Sequence, residues 1–156
     1  MERLALSSID AVPGGGDGLL ATTELLTRRL RIDDLDSPGA GPRSFPVGRA
    51  PEALVGLPGS KAGEFRLVVA NTAYSAARPT GRPFGAATLS LLSFQLDGEN
   101  AGQLTLTGGS TIELEEPSFD PASTSGLNPT ALVDAPGIGS SGELLVIGGG
   151  VNLGAD

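Results

Sequence analysis

The chain has no histidine, no cysteine and no tryptophan. Without histidine it lacks the commonest general base and the commonest transition-metal ligand. Without cysteine, disulfides and thiolate sites are excluded, and the redox compartment is left open. Zinc or copper would have to be held by carboxylates alone, which suits neither ion. No cofactor is therefore expected. Aromatic residues are scarce, with one tyrosine and five phenylalanines, so leucine, valine, isoleucine and alanine must do most of the packing. No apolar run is long enough to span a bilayer. The first residues, MERLALSSID, lack a basic segment and carry only a short apolar one, so no signal peptide is expected.

One kind of charge is missing from half of the chain. All ten basic residues, nine arginines and Lys61, lie within residues 1–82, beside nine acids. Residues 83–156 hold nine acids and no base. That half cannot neutralise a phosphate backbone, which argues against a nucleic-acid partner. An acidic, solvated surface accounts for the pattern. The sharper reading is that first-half arginines, Arg28, Arg29, Arg31, Arg43, Arg49, Arg78 and Arg82 among them, meet the acidic half of a neighbouring copy.

What is abundant is glycine and proline, 24 and 12 of 156 residues, against roughly 12 % for the pair in ordinary proteins. Much of the chain should be turn or irregular. A GC-rich genome would produce the same bias. The length fits one domain. Within it, residues 86–117 read AATLSLLSFQLDGENAGQLTLTGGSTIELEEP. Alternating leucine and threonine with glycine-containing breaks predicts an antiparallel meander of three strands, Thr88–Leu96, Gln103–Thr107 and Thr111–Glu115, with Gly108-Gly109 separating the last two.

Earlier in the chain, Glu64–Asn71 (EFRLVVAN) is the clearest single strand. Arg3–Ile9 reads as a short strand. Gly18–Ile32 fits helix or strand, with a strand favoured over Glu24–Asp33. Residues 36–46 (DSPGAGPRSFP) form an extended linker, and Pro51 placed at a first helical turn suggests a short helix over Pro51–Val55. Leu89 and Leu91 occupy one parity of a strand and Leu92, Phe94 and Leu96 the other. A bulge, or a passage between two packing partners, is expected near Leu91-Leu92. Residues 117–141 are rich in proline, serine and glycine, unusual inside a compact domain. Glu143–Ile147 (ELLVI) should be a buried final strand. The expected division is an extended N-terminal arm, 1–46, and a β-rich core domain, 47–156. The fold class expected is mainly β: a small antiparallel meander or sandwich with long Pro/Gly-rich arms and at most one or two short helices. Leu67, Val69, Leu92, Phe94, Leu96, Leu104, Leu106, Leu145 and Ile147 are its expected core.

Three patterns resemble functional motifs. Residues 137–142 (GIGSSG) match G-x-G-x-x-G, but an apolar strand rather than a helix follows, so a plain glycine-rich loop is expected. Glu113 and Glu115 share one strand face with Cβ atoms roughly 6–7 Å apart, a spacing that suits glycoside hydrolysis. A raised-pKa acid needs an apolar pocket, however, and Ile112 and Leu114 point the other way, so a solvated face is expected. Asp97, Glu99 and Asn100 carry oxygen ligands for calcium, but Asp-Gly and Asn are equally hairpin-turn chemistry. No catalytic residue emerges, and the protein is not expected to be an enzyme.

The whole-chain pattern resembles the capsid decoration (cement) proteins of tailed bacteriophages. The matching features are the Pro/Gly-rich segment 11–46, the small β core 64–116 and the Gly/Ser/Pro-rich segment 117–141. The resemblance implies a β-rich, non-enzymatic virion protein, often trimeric, clamped on a lattice of major capsid protein or other virion chains. A tail-tube or head–tail connector protein shares the meander and self-assembly. An extracellular carbohydrate- or surface-binding β module is a third reading, weakened by the lack of tryptophan for sugar stacking.

Overall fold

The computed structural model describes residues 6–11, 18–37, 39, 41–72, 87–98, 103–114, 129–135 and 143–148. Over 6–11, 129–130, 133–135 and 143–148 the description is of the backbone. The fold is mainly β, with ten strands and no helix among the described residues: β1 Leu6–Ala11, β2 Leu19–Glu24, β3 Arg29–Asp34, β4 Arg43–Pro46, β5 Pro51–Pro58, β6 Glu64–Asn71, β7 Ala87–Leu96, β8 Leu104–Leu114, β9 Pro129–Ala135 and β10 Glu143–Gly148. They form a four-stranded sheet in the order β1-β2-β3-β4, a second in the order β5-β6-β7-β8, and a hairpin of β9 and β10. Every pairing is antiparallel.

The second sheet is the middle layer. One of its faces carries Leu54, Phe65, Leu67, Val69, Leu92, Phe94, Leu96 and Leu104, which pack with Leu19, Ala21, Leu30, Ile32 and Phe45 of the first sheet. Phe65 and Phe94 are cross-strand partners and stack at 5.2 Å, while Phe45 meets Phe94 edge-on at 4.9 Å. Offset and edge-to-face rings are the favoured aromatic geometries. The opposite face carries Ala53, Val55, Val68, Ala70 and Leu89, with Leu57, Leu91, Leu114 and Leu132 of β9 packed on it. This explains the parity change in β7. Leu92, Phe94 and Leu96 face the first sheet, and Leu89 and Leu91 face the hairpin side. The strand passes between two packing partners, and its register with β6 is unbroken. The bulge lies slightly further on, where Ser93 pairs Gly108 but Phe94 pairs Leu106, leaving Thr107 as the extra residue of β8.

Several expectations need correction. The supposed arm 1–46 is not an arm: from Leu6 it supplies β1–β4, and five of its side chains lie in the main core. Gly18–Ile32 is neither a helix nor a single strand but the hairpin β2–β3, turning over residues 25–28. Pro51–Val55 begins a strand, not a helix. Ala53, Leu54 and Val55 are all buried, which suits a strand covered on both faces, and proline is accepted at a strand's first position. Gly108-Gly109 does not separate two strands, because β8 runs through it. The irregular run 117–141 contains β9. Of the expected core, Leu67, Val69, Leu92, Phe94, Leu96 and Leu104 are buried, whereas Leu106 is 42 % exposed. It pairs with buried Phe94 but sits on the last strand of its sheet, outside β7, whose Phe94 already meets Phe45 of the first sheet's own last strand. The side chains of Leu145 and Ile147 lie outside the described residues.

The link between the sheets is fixed by polar contacts. Val47 N donates to Arg28 O (3.0 Å), and Thr72 N donates to Ala50 O (3.0 Å). Gly48 N donates to Ser90 Oγ (3.2 Å), which also accepts from buried Asn71 Nδ2 (2.9 Å). A Cβ at Gly48 would fall 2.5 Å from Asn71 Cγ, so this crossing is built for glycine.

Candidate functional site

Two surfaces carry the residues that sequence reasoning singled out or passed over. The first is the rim of β3 and β4. The β2–β3 turn closes with Arg28 N donating to Glu24 O (3.0 Å), and Arg28 takes φ 57°, the left-handed conformation that glycine or asparagine usually fills in such loops. Arg28, Arg29 and Arg43 are exposed. Arg43 lies with its guanidinium carbon 6.0 Å from the Phe45 ring centre, at the edge of cation–π range. Among the described residues none of these three has a carboxylate partner.

Arg31 behaves differently. It shares a strand face with Asp33, two residues on, and grips it in a bidentate pair, Nε to Oδ2 at 2.7 Å and Nη2 to Oδ1 at 2.6 Å. Glu24 stands 3.9 Å from Nη1 and accepts a hydrogen bond from Thr27 Oγ1. The hydrogen bond to Asp33 raises the Arg31 pKa above the ordinary arginine value; burial opposes this, and the charges of Asp33 and Glu24 add to it. Arg31 thus has two acids within its own hairpin. Arg49 is exposed beside the start of β5. Arg78 and Arg82 lie outside the described residues.

The second surface is β8, which has β7 on one side and, among the described strands, nothing on the other. It is eleven residues long, LTLTGGSTIEL. Leu106 and Ile112 are 42 % and 47 % exposed. Leu106 shares the face of its partner Phe94, and Ile112 shares that of its partner Leu89, so the two point to opposite sides of the sheet. Glu113 is exposed, as a solvated carboxylate should be; Glu115 lies outside the described residues. Sequence reasoning missed this edge because Gly108-Gly109 has the composition of a hairpin turn, which split one strand into two.

The remaining motifs fall away on context. The strand before the glycine-rich segment 137–142, β9, pairs antiparallel with the strand after it, β10. A dinucleotide loop leads from strand to helix instead. Asp97 is exposed and accepts from Gln95 Nε2 (3.2 Å), while its N–H donates to Gln103 O (3.2 Å) across the β7–β8 connection; Glu99 and Asn100 lie outside the described residues. No group of three acidic residues that would hold a metal ion occurs among the described residues, and they include no helix long and apolar enough to cross a membrane. No protein-family model, no curated protein and no solved structure matches the chain.

Proposed function

We propose that the protein is a non-enzymatic structural protein of a virion, one that binds and stabilises a capsid lattice as a decoration protein. The observation that supports this best is a set of three exposed arginines at the margin of the first sheet: Arg29 on the face turned away from the core, Arg28 in the turn beside it, and Arg43 on the Phe45 side. Guanidinium groups carried by a hairpin and its neighbouring strand, packed on the core, are pre-placed for bidentate contacts with carboxylates of another chain. The partners are the major capsid protein or other virion chains, together with further copies of this chain, a trimer being the favoured oligomer.

The test is co-sedimentation of the purified protein with undecorated capsid shells. Arg28→Gln, Arg29→Gln and Arg43→Gln together should weaken binding at least about tenfold, the loss being larger at low salt, where the wild-type attraction is least screened. A wild-type protein that stays in the supernatant with every shell preparation sinks the reading. The open edge β8 favours a second reading, a tail-tube or connector protein. Tubes or stacked rings of the purified protein in electron micrographs would select it.

A further inference from the structure

We propose that β8 pairs with β8 of a second copy of this chain, so that two chains join across a two-fold axis into one continuous eight-stranded sheet. The inference goes beyond the assembly reading above: the contact needs no capsid, and it leaves any three-fold contact to another surface. An unpaired strand edge presents a row of backbone donors and acceptors, and proteins normally blunt such edges with proline, lysine, a bulge or short length. The edge β4 has four residues and ends in Pro46. The other edge of the middle sheet, β5, begins and ends in proline and packs against β1 and β9. By contrast, β8 has eleven residues, no proline and no basic residue. Its bulge at Thr107 leaves residues 108–114 as an unbroken run. From 105 to 113 every residue except Gly108 is exposed, on both faces of the sheet.

The occupant must bring an edge of its own that is equally free, and among the described edges with side chains in view only β8 does. A two-fold axis perpendicular to the sheet keeps each face on its own side, so residues that meet across it must share a face. Ser110, Ile112 and Leu114 pair with Leu91, Leu89 and Ala87 and take the hairpin side, whereas Gly109, Thr111 and Glu113 take the other. The register that uses the whole unbroken run sets Thr111 opposite Thr111 of the second copy. Ser110 then meets Ile112, Gly109 meets Glu113 and Gly108 meets Leu114, and every pair shares a face. Threonine opposite threonine is a favourable cross-strand pair, and Ile112, 47 % exposed in the single chain, gains a neighbour.

Charge and glycine placement agree with this register. Glu113 is the one charged residue of β8, and it meets a glycine rather than its own counterpart. The two Glu113 side chains stand roughly 14 Å apart at ~3.4 Å of rise per residue, beyond the Debye length of ~8 Å at physiological salt. A Cβ at Gly108 would meet nothing nearer than Ser93 Cβ at 3.9 Å, and one at Gly109 nothing nearer than Leu91 O at 3.8 Å. Neither takes a positive φ, so the protein's own fold does not call for glycine at either position. Glycine within a strand otherwise marks a bulge or the close approach of another backbone; the extra residue of this bulge is Thr107. One patch meeting its own copy makes an isologous contact, which closes at two chains.

The experiment uses the full chain, whose lack of cysteine makes an introduced thiol unambiguous. Sedimentation velocity over a concentration series should show wild-type dimers. Thr111→Lys, at an exposed position, sets two like charges face to face across the axis. It should weaken the dimer at least tenfold, less at high salt, with the circular dichroism spectrum unchanged. Directly opposed strand residues have Cα atoms roughly 4.5–5.5 Å apart, within disulfide range, so Thr111→Cys should oxidise to a cross-linked dimer. Ser110→Cys and Ile112→Cys chains, also altered at exposed positions, should cross-link when mixed and poorly when alone. A wild-type monomer at all concentrations overturns the proposal, as does a dimer that Thr111→Lys leaves intact. A dimer that neither Thr111→Cys nor the mixture can cross-link overturns it as well, and that readout holds even if Thr111→Lys fails to fold. Capsid co-sedimentation is scored separately: a monomer that still binds shells sinks the edge pairing alone, and a dimer built through β8 that binds no shell sinks the decoration reading alone.

Discussion

The two faces of the middle sheet are filled by different means. Towards the first sheet, Phe65 and Phe94 from that sheet and Phe45 from its neighbour form a stacked and edge-on trio among leucines. Towards the hairpin, the buried side chains are alanine, valine and a single leucine. Three of the chain's five phenylalanines are therefore spent on one interface. A protein short of aromatic residues concentrates them where two four-stranded sheets must hold together, and lets a smaller layer approach a smoother surface closely. The stability of the fold should be correspondingly lopsided.

The strongest way to break this comparison is to remove residues 1–46. The deletion strips the first sheet from Phe65 and Phe94, and the remainder should show no cooperative thermal transition by circular dichroism. In the intact chain, amide hydrogens of residues 19–34 should exchange as slowly as those of Glu64–Asn71, since both contribute to one core; fast exchange confined to 19–34 would instead make the first sheet a separable layer. Next in size is Phe94→Ala. It removes the ring shared by Phe45 and Phe65 and should cost about 3–5 kcal/mol in urea unfolding. On the opposite face, Val68→Ala, at a position only 1 % exposed, should cost about 1.5 kcal/mol; an equal or larger loss than for Phe94→Ala would erase the asymmetry. The smallest effect belongs to Arg31→Gln. Its pair with Asp33 is partly open to solvent, with 34 % of the arginine side chain exposed, so the change should stay below about 1 kcal/mol and shrink with added salt. Because pairing raises the folded-state pKa of Arg31, its stabilisation is complete below the ordinary arginine pKa and fades only as pH rises through the higher folded value.

How far the sequence was legible follows from where each element gets its signal. Glu64–Asn71 and the run through Leu96 were readable because apolar residues alternate over many positions. The β2–β3 hairpin was not. Its turn, Leu25-Leu26-Thr27-Arg28, contains no glycine, proline, asparagine or aspartate, and Arg28 occupies the left-handed position without advertising it. Pro51 was read as a helix start because proline is equally at home at the head of an edge strand. At Gly108-Gly109 the turn signal was present and the turn was not. The arginine rim was identified by composition alone, but composition did not distinguish Arg31, neutralised within its own hairpin, from Arg28, Arg29 and Arg43. The open edge had no one-dimensional signature, because which strand comes last in a sheet is decided by what fails to pair with it.

Within each four-stranded sheet, the order of strands in space is the order along the chain. Each strand therefore needs only its immediate predecessor to begin pairing, and both sheets can grow by successive hairpins, the kind of local contact that favours rapid folding. The first can be complete before the second leaves the ribosome. What remains non-local is the docking of the layers, the β9–β10 hairpin on one face of the middle sheet and the first sheet on the other, and the larger search should be the second: two four-stranded sheets finding one another through three rings.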